Sequence, residues 1–87
     1  AVRYLAAELG PRRIRVHAIS PGPMATRASS GLKEFDQLME RARASSPLGE
    51  LVDVDDVGAL ASFLASPAAR HMTGAIAYVD AGLHIMG

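Results

Sequence analysis

The side chains of this 87-residue chain that could do chemistry are few and scattered. Three histidines (His17, His71, His84) and two tyrosines (Tyr4, Tyr78) are the candidates for proton transfer. His17 stands alone in an alternating apolar segment, as a hydrogen-bonded structural histidine would, and Tyr4 lies beside Leu5 as a packing residue would. His71 and His84 stand apart from any carboxylate pair with ligand spacing, so no metal site is expected. Asp53, Asp55 and Asp56 cluster where an apolar periodicity begins and read as helix capping rather than cation ligands. Arg12, Arg13 and Arg15 lack neighbouring aromatics to stack on bases and face compensating acids downstream, so a nucleic-acid surface is not expected. Cysteine is absent, which removes disulfides, thiolate metal sites and cysteine catalysis. What remains is Ser20-Pro21-Gly22-Pro23 with Thr26 shortly after. The prolines stiffen the backbone, glycine lets another group come close, and threonine offers a hydroxyl. The pattern suits a flat polar ligand, but on pattern alone a rigid turn that binds nothing is favoured, because Pro-Gly turns are common.

The elements that would position that loop follow from periodicity. Val2, Leu5, Ala6 and Leu9 share one face of a helix over Val2–Leu9, stopped at Gly10-Pro11 by a left-handed cap and a missing donor. Arg13–Ile19 alternates as a strand does, and Ser20-Pro21-Gly22-Pro23 is expected to leave the sheet at once. Phe35, Leu38, Met39 and Ala42 predict an amphipathic helix over Lys33–Ala44, broken at Ser45-Ser46-Pro47. A further helix opens with Asp53 as N-cap, buries Val54, Val57, Leu60, Ala61 and Leu64, and stops before Pro67. Ala75–Val79 is a continuous apolar run, as in a strand covered on both faces. Two strands joined through helices are expected to be parallel. The fold class is therefore α/β, with helix, strand, loop, two to three helices and strand as the end of a doubly wound, Rossmann-type parallel sheet.

Length and charge bound the rest. A chain of this size is one domain at most and hides only about 60–65% of its unfolded surface. Apolar residues at 49% and charged residues at 21% exclude a disordered or low-complexity chain. Residues 1–33 carry six basic side chains against Glu8, and residues 34–87 carry three against eight acidic ones, which gives +5 followed by −5. The basic half could meet a nucleotide phosphate or pair with the acidic half. No apolar run approaches the roughly 18 residues of a membrane span, so no membrane partner is expected. The first residue is Ala and a helix is already under way without a cap, so residues 1–87 are expected to be the carboxyl-terminal part of one longer domain whose amino-terminal part is absent.

The segments GPRRIRVHAISPGPMAT and TGAIAYVDAG resemble the last strands of short-chain dehydrogenases/reductases. More narrowly, RYLAAELGP, GPMATRASSGLKEF, ARASSPLGELVDVDDVG and HMTGAIAYVDAGLHIMG are similar to the bacterial enoyl-acyl-carrier-protein reductases, across essentially the whole chain. The resemblance implies a cytoplasmic, NADH-dependent, homotetrameric oxidoreductase of fatty-acid synthesis that reduces an enoyl thioester on acyl carrier protein. It implies cofactor contacts at Met24, Ala25, Thr26, Arg27 and Ala28, with the Met24 backbone at the nicotinamide carboxamide and Thr26 at the pyrophosphate. It implies a substrate wall of Ala28, Ser29, Leu32, Phe35 and Leu38. No catalytic residue is expected in this chain, because the family's Gly-rich turn and Tyr-x-x-x-x-x-x-Lys pair have no counterpart in it. His17 stands where the family usually has Asn, Pro21 where it more often has Ala, and Ala81 where it usually has Gly. Two other readings remain open at this point: a ketone or alcohol oxidoreductase on the same fold, and a noncatalytic interaction module. Strand Ala75–Val79 and helix Val54–Leu64 are the elements expected at a subunit contact, or else packed on the parent sheet.

Overall fold

The structure is a computed structural model and describes residues 1–24 and 32–86. Helix α1 spans Val2–Leu9 and buries Ala6. Its expected left-handed glycine cap is not there. Gly10 keeps right-handed helical geometry at φ −55° and opens a 3₁₀ turn, Gly10–Arg12, that lets Pro11 continue without a donor. The left-handed residue is Arg13, φ 61°, three positions later.

Strand β1 is also displaced from its expected place, to Ala18–Pro21. The turn at Arg13 delays the extended run, and Val16 is tied singly, accepting from Gly74 N–H at 2.8 Å and donating to Thr73 Oγ1 at 3.0 Å. Pro21 stays in the strand for a geometric reason. Ala18 N–H donates to Ala75 and Gly22 N–H to Val79, so residue 21 points its nitrogen away from the neighbouring strand, where a missing donor costs no bond.

Helix α2, Lys33–Ser45, has Glu34 and Asp36 in its first turn and Arg43 in its last, each favourable to the helix dipole. Its apolar stripe is only partly covered: Met39 is buried, Phe35 and Ala42 are half-buried, and Leu38 is exposed. Helix α3, Val54–Ala65, starts as expected at Asp53, whose side chain accepts from Asp56 N–H at 3.0 Å while Asp56 accepts from Asp53 N–H at 2.9 Å. Within its expected stripe Leu64 is buried, Val57 and Leu60 are half-buried, and Val54 and Ala61 are exposed. Ser66 ends it before a second 3₁₀ turn, Pro67–Ala69.

Strand β2, Ile76–Val79, runs parallel to β1 with Ala18 opposite Ile76 and Pro21 opposite Val79. It is not covered on both faces: Ile76 and Tyr78 are half exposed and alternate with better-covered Ala77 and Val79. α1 packs at the start of β2, where Ala6 approaches Gly74, and α3 packs on β1. Beyond Ala6, Met39, Leu64 and Ala69 no apolar side chain among the described residues is buried, and none of the large ones is fully so. The covered surface sits where the helices meet the two strands, and both strands deliver their carboxyl ends to one place. No helix among the described residues is long and apolar enough to cross a membrane.

Candidate functional site at the carboxyl ends of the strands

Ligands of open α/β sheets bind beyond the carboxyl ends of the strands, and here those ends are joined at Gly22 and Asp80. Gly22 N–H donates to Val79 at 2.9 Å. A Cβ at Gly22 would stand 2.9 Å from Asp80 Cβ and 3.0 Å from its Cα, so only glycine allows the two ends to approach this closely. Asp80 is itself pinned. One carboxylate oxygen accepts from Gly82 N–H at 3.0 Å, the other from His84 N–H at 3.0 Å, and the His84 ring nitrogen lies 2.9 Å away. Burial pushes the Asp80 carboxyl up, but the hydrogen bonds from His84 and Gly82 outweigh it and hold the group below the ordinary carboxylate range.

The turn after α2 braces this junction. Leu48 N–H donates to Ala81 at 3.0 Å, and Pro47 packs on Gly82, φ 91°, where a Cβ would meet the proline ring at 2.9 Å. Ala81 adopts the left-handed region at φ 56°, where glycine would be unstrained. Buried Ser46 donates its hydroxyl to Arg43 at 2.9 Å, and Gly22, Pro23, Ala42, Ser46, Val52 and Leu83 close together without room for water. The backbone therefore leaves β1 on a fixed path through Pro23 to Met24.

Of the expected cofactor contacts, Met24 lies half-buried at the end of that path. Ala25, Thr26, Arg27 and Ala28, and Ser29 of the expected substrate wall, lie outside the described residues. Leu32 and Phe35, with Lys33 and Glu34 between them, border an open hollow of about 450 Å³ at the start of α2. Leu38, one turn further on, is exposed and does not line it.

Two features differ from the sequence reading. His84 is not isolated: it pairs with Asp80 and stacks on Tyr78, ring centres 3.9 Å apart and planes within 8°. The Asp80–His84 spacing of four was the available signal. The pair edges a cleft of about 510 Å³ that also has Glu50 and Asp56 on its wall. No group of three metal-ligating side chains is assembled among the described residues. His17 is not hydrogen-bonded, and both ring nitrogens are buried without a partner among the described residues, because β1 pairs with β2 alone and α3 offers only Ala61, Leu64 and Ala65 nearby.

Comparison with known proteins bears on this arrangement. The family described as enoyl-(acyl carrier protein) reductase matches residues 1–84. Among curated relatives, an NADH-dependent enoyl-[acyl-carrier-protein] reductase of Synechocystis is 48% identical over 86 residues, 99% of this chain and 33% of that protein. The Escherichia coli enzyme of the same name is 40% identical over 84 residues, 97% of this chain and 32% of its own length. Among solved structures, the Bacillus cereus enoyl-acyl carrier protein reductase, with NADP+ and an indole naphthyridinone, superposes with TM-score 0.87 at 41% identity, over 99% of this chain and 34% of that one. The reductase of Anaplasma phagocytophilum, in complex with NAD, gives TM-score 0.87 at 44% identity, over 99% and 33%. The chain thus spans about a third of the length of the relatives it matches.

Proposed function

We propose that this chain, which belongs to the enoyl-(acyl carrier protein) reductase family, forms the carboxyl-terminal third of an NADH-dependent enoyl reductase of fatty-acid synthesis. In that reaction a bound nicotinamide supplies hydride to the β-carbon of a trans-2-enoyl thioester, and the resulting enolate takes up a proton at the α-carbon. The chain holds neither the proton donor nor a Gly-rich turn, so its share of the work is positional.

The observation that carries the reading is the junction of Gly22 with Asp80. It fixes the backbone that runs to Met24 at the carboxyl end of the sheet, the end at which open α/β sheets bind their ligands. The Met24 backbone would meet the carboxamide of the nicotinamide, and Ala25, Thr26, Arg27 and Ala28 would follow the cofactor, with the Thr26 hydroxyl at the pyrophosphate. Ala28, Ser29, Leu32, Phe35 and Leu38 would form the apolar wall over the acyl chain and exclude water from the hydride path. The open hollow beside Leu32 and Phe35 supports this role for those two. The substrate partner is the thioester on acyl carrier protein, in the cytoplasm. Ile76 and Tyr78 of β2 and Val54 and Phe63 of α3 are apolar and at least 45% exposed, which supports a subunit contact through these elements in a homotetramer.

The protein translated from the whole reading frame that contains residues 1–87 is expected to oxidise NADH in the presence of a crotonyl thioester, and the isolated 87-residue chain is not. Turnover by the isolated chain would overturn the positional reading. A longer protein that reduces ketones and leaves the enoyl thioester untouched would overturn the substrate class.

A further inference from the structure

The opposite, amino-terminal end of the sheet carries a cluster that the reductase reading does not use. A cleft of about 400 Å³ is bounded on one side by Gly10, Arg13 and Ile14 and on the other by Arg70, His71, Met72 and Thr73, with Arg15 across its floor. Three arginines and a histidine thus line one hollow, and no acidic residue among the described residues does. Glu8, the one acidic residue among the first 33, is not on its wall, and the acids of the second half sit elsewhere.

The frame of the cleft is fixed. Arg15 donates to the carbonyls of Ala69 at 3.0 Å and Met72 at 3.4 Å, and Thr73 and Gly74 are bonded to Val16. Arg15 is therefore a structural strut. Arg13, Arg70 and His71 are exposed, and among the described residues none of the three forms an ion pair; Arg70 makes one long bond within its own turn, donating to the Pro67 carbonyl at 3.4 Å, which leaves the rest of its guanidinium fork to a ligand. Arg13 also holds a left-handed backbone, φ 61°, at which glycine alone would sit without strain. Arginine forks match phosphate oxygens two at a time, and a hollow of this size accommodates a small ligand.

We infer that this cleft binds a phosphoryl anion, gripped by Arg13 and Arg70 with His71 beside them, at a place separate from the carboxyl ends of the strands. The anion has two sources with the same chemistry, a free phosphorylated metabolite or an anionic lipid headgroup. The site draws on charge at the surface, so binding weakens as ionic strength rises.

The test is a calorimetric titration of the full-length protein with pyrophosphate while NADH is saturating, which keeps the cofactor site filled. It is repeated on Arg13→Gly, which relaxes the left-handed backbone as it removes the guanidinium, and on Arg70→Gln. Saturable binding is expected, weakened by about tenfold or more in each variant, as loss of a charge-assisted contact would give, with NADH affinity unchanged. Co-sedimentation with phosphatidylcholine vesicles containing phosphatidylglycerol separates the sources. Sedimentation that pyrophosphate displaces identifies a headgroup, and pyrophosphate binding without sedimentation identifies a free phosphate. Absence of saturable binding to both probes, or binding that survives in both variants, would overturn the inference.

Discussion

Gly22→Ala is the substitution through which the junction of the strands can be tested most sharply. The added methyl would stand 2.9 Å from Asp80 Cβ and 3.0 Å from its Cα, against an ordinary separation of about 3.5–4.0 Å. One of the two atoms is backbone, so a rotamer change on Asp80 cannot relieve the overlap. Asp80 cannot retreat freely either, because Gly82 N–H, His84 N–H and the His84 ring all hold it. The strand end must move by about half an ångström, and overpacking of this kind costs about 1–3 kcal/mol. The involvement of Cα puts the expectation in the upper half of that range. At about 2–4 °C per kcal/mol, the scale for a protein of some 150–250 residues or slightly more, this lowers Tm by roughly 4–12 °C. Because Met24 follows two residues later, kcat/KM for NADH should fall with it. The assay is thermal and denaturant unfolding of the full-length protein together with NADH turnover, and Gly58→Ala serves as control. Gly58 has open space around it inside α3, so alanine there should raise stability by about 0.5–1 kcal/mol. A Gly22→Ala protein within about 0.5 kcal/mol of its parent, less than overpacking can cost, would refute the close approach and the argument built on it.

Three further outcomes are expected. Ala81→Gly should stabilise, by up to about 1 kcal/mol in denaturant unfolding, since alanine pays for φ 56° and glycine does not. Asp53→Ala removes one half of the reciprocal cap of α3 and should cost about 1 kcal/mol in the same assay, while Asp55→Ala, which makes no cap bond, should cost less. The Asp80 carboxyl is lower in the folded protein than in the unfolded chain, so its contribution is fully present above the unfolded value of about 3.9 and is lost as pH falls through the lower folded value. A denaturation-midpoint series taken down through that window should be flatter for Asp80→Asn than for the parent, and identical slopes would contradict the role given to the Asp80 bonds.

Much of this architecture was legible in the residues, and the exceptions have physical causes. Periodicity locates α1, α2 and α3 because each carries apolar positions at helical spacing, and Asp53 reads as a cap because the apolar stripe opens there, while the reciprocal bond from Asp56 emerges only in the structure. The parallel pairing followed from strands separated by helices. Pro21 was placed outside the sheet because composition does not say which edge of a strand a proline nitrogen faces. Gly10 was given the left-handed turn because glycine is the usual occupant, whereas the chain spends the strain on Arg13. Coverage was the least readable property. The apolar run Ala75–Val79 and the stripe from Val54 to Leu64 ask for neighbours on both sides, and the described residues cover only part of them. At the site, Pro21-Gly22-Pro23 pointed to a stiff loop, but the need for glycine lies in its contact with Asp80, 58 positions away. The Asp80–His84–Tyr78 cluster was missed because a spacing of four outside a regular helix carries little weight until the backbone turns it together.

The most direct measurement is hydride transfer by a hybrid enzyme, in which residues 1–87 replace the matching third of the Synechocystis reductase. At 48% identity over 86 residues the exchange leaves about half of the positions unchanged. A folded hybrid is expected to oxidise NADH with crotonyl thioester, with kcat/KM lowered on Gly22→Ala. A hybrid that folds and binds NADH but leaves the thioester unreduced would contradict this expectation.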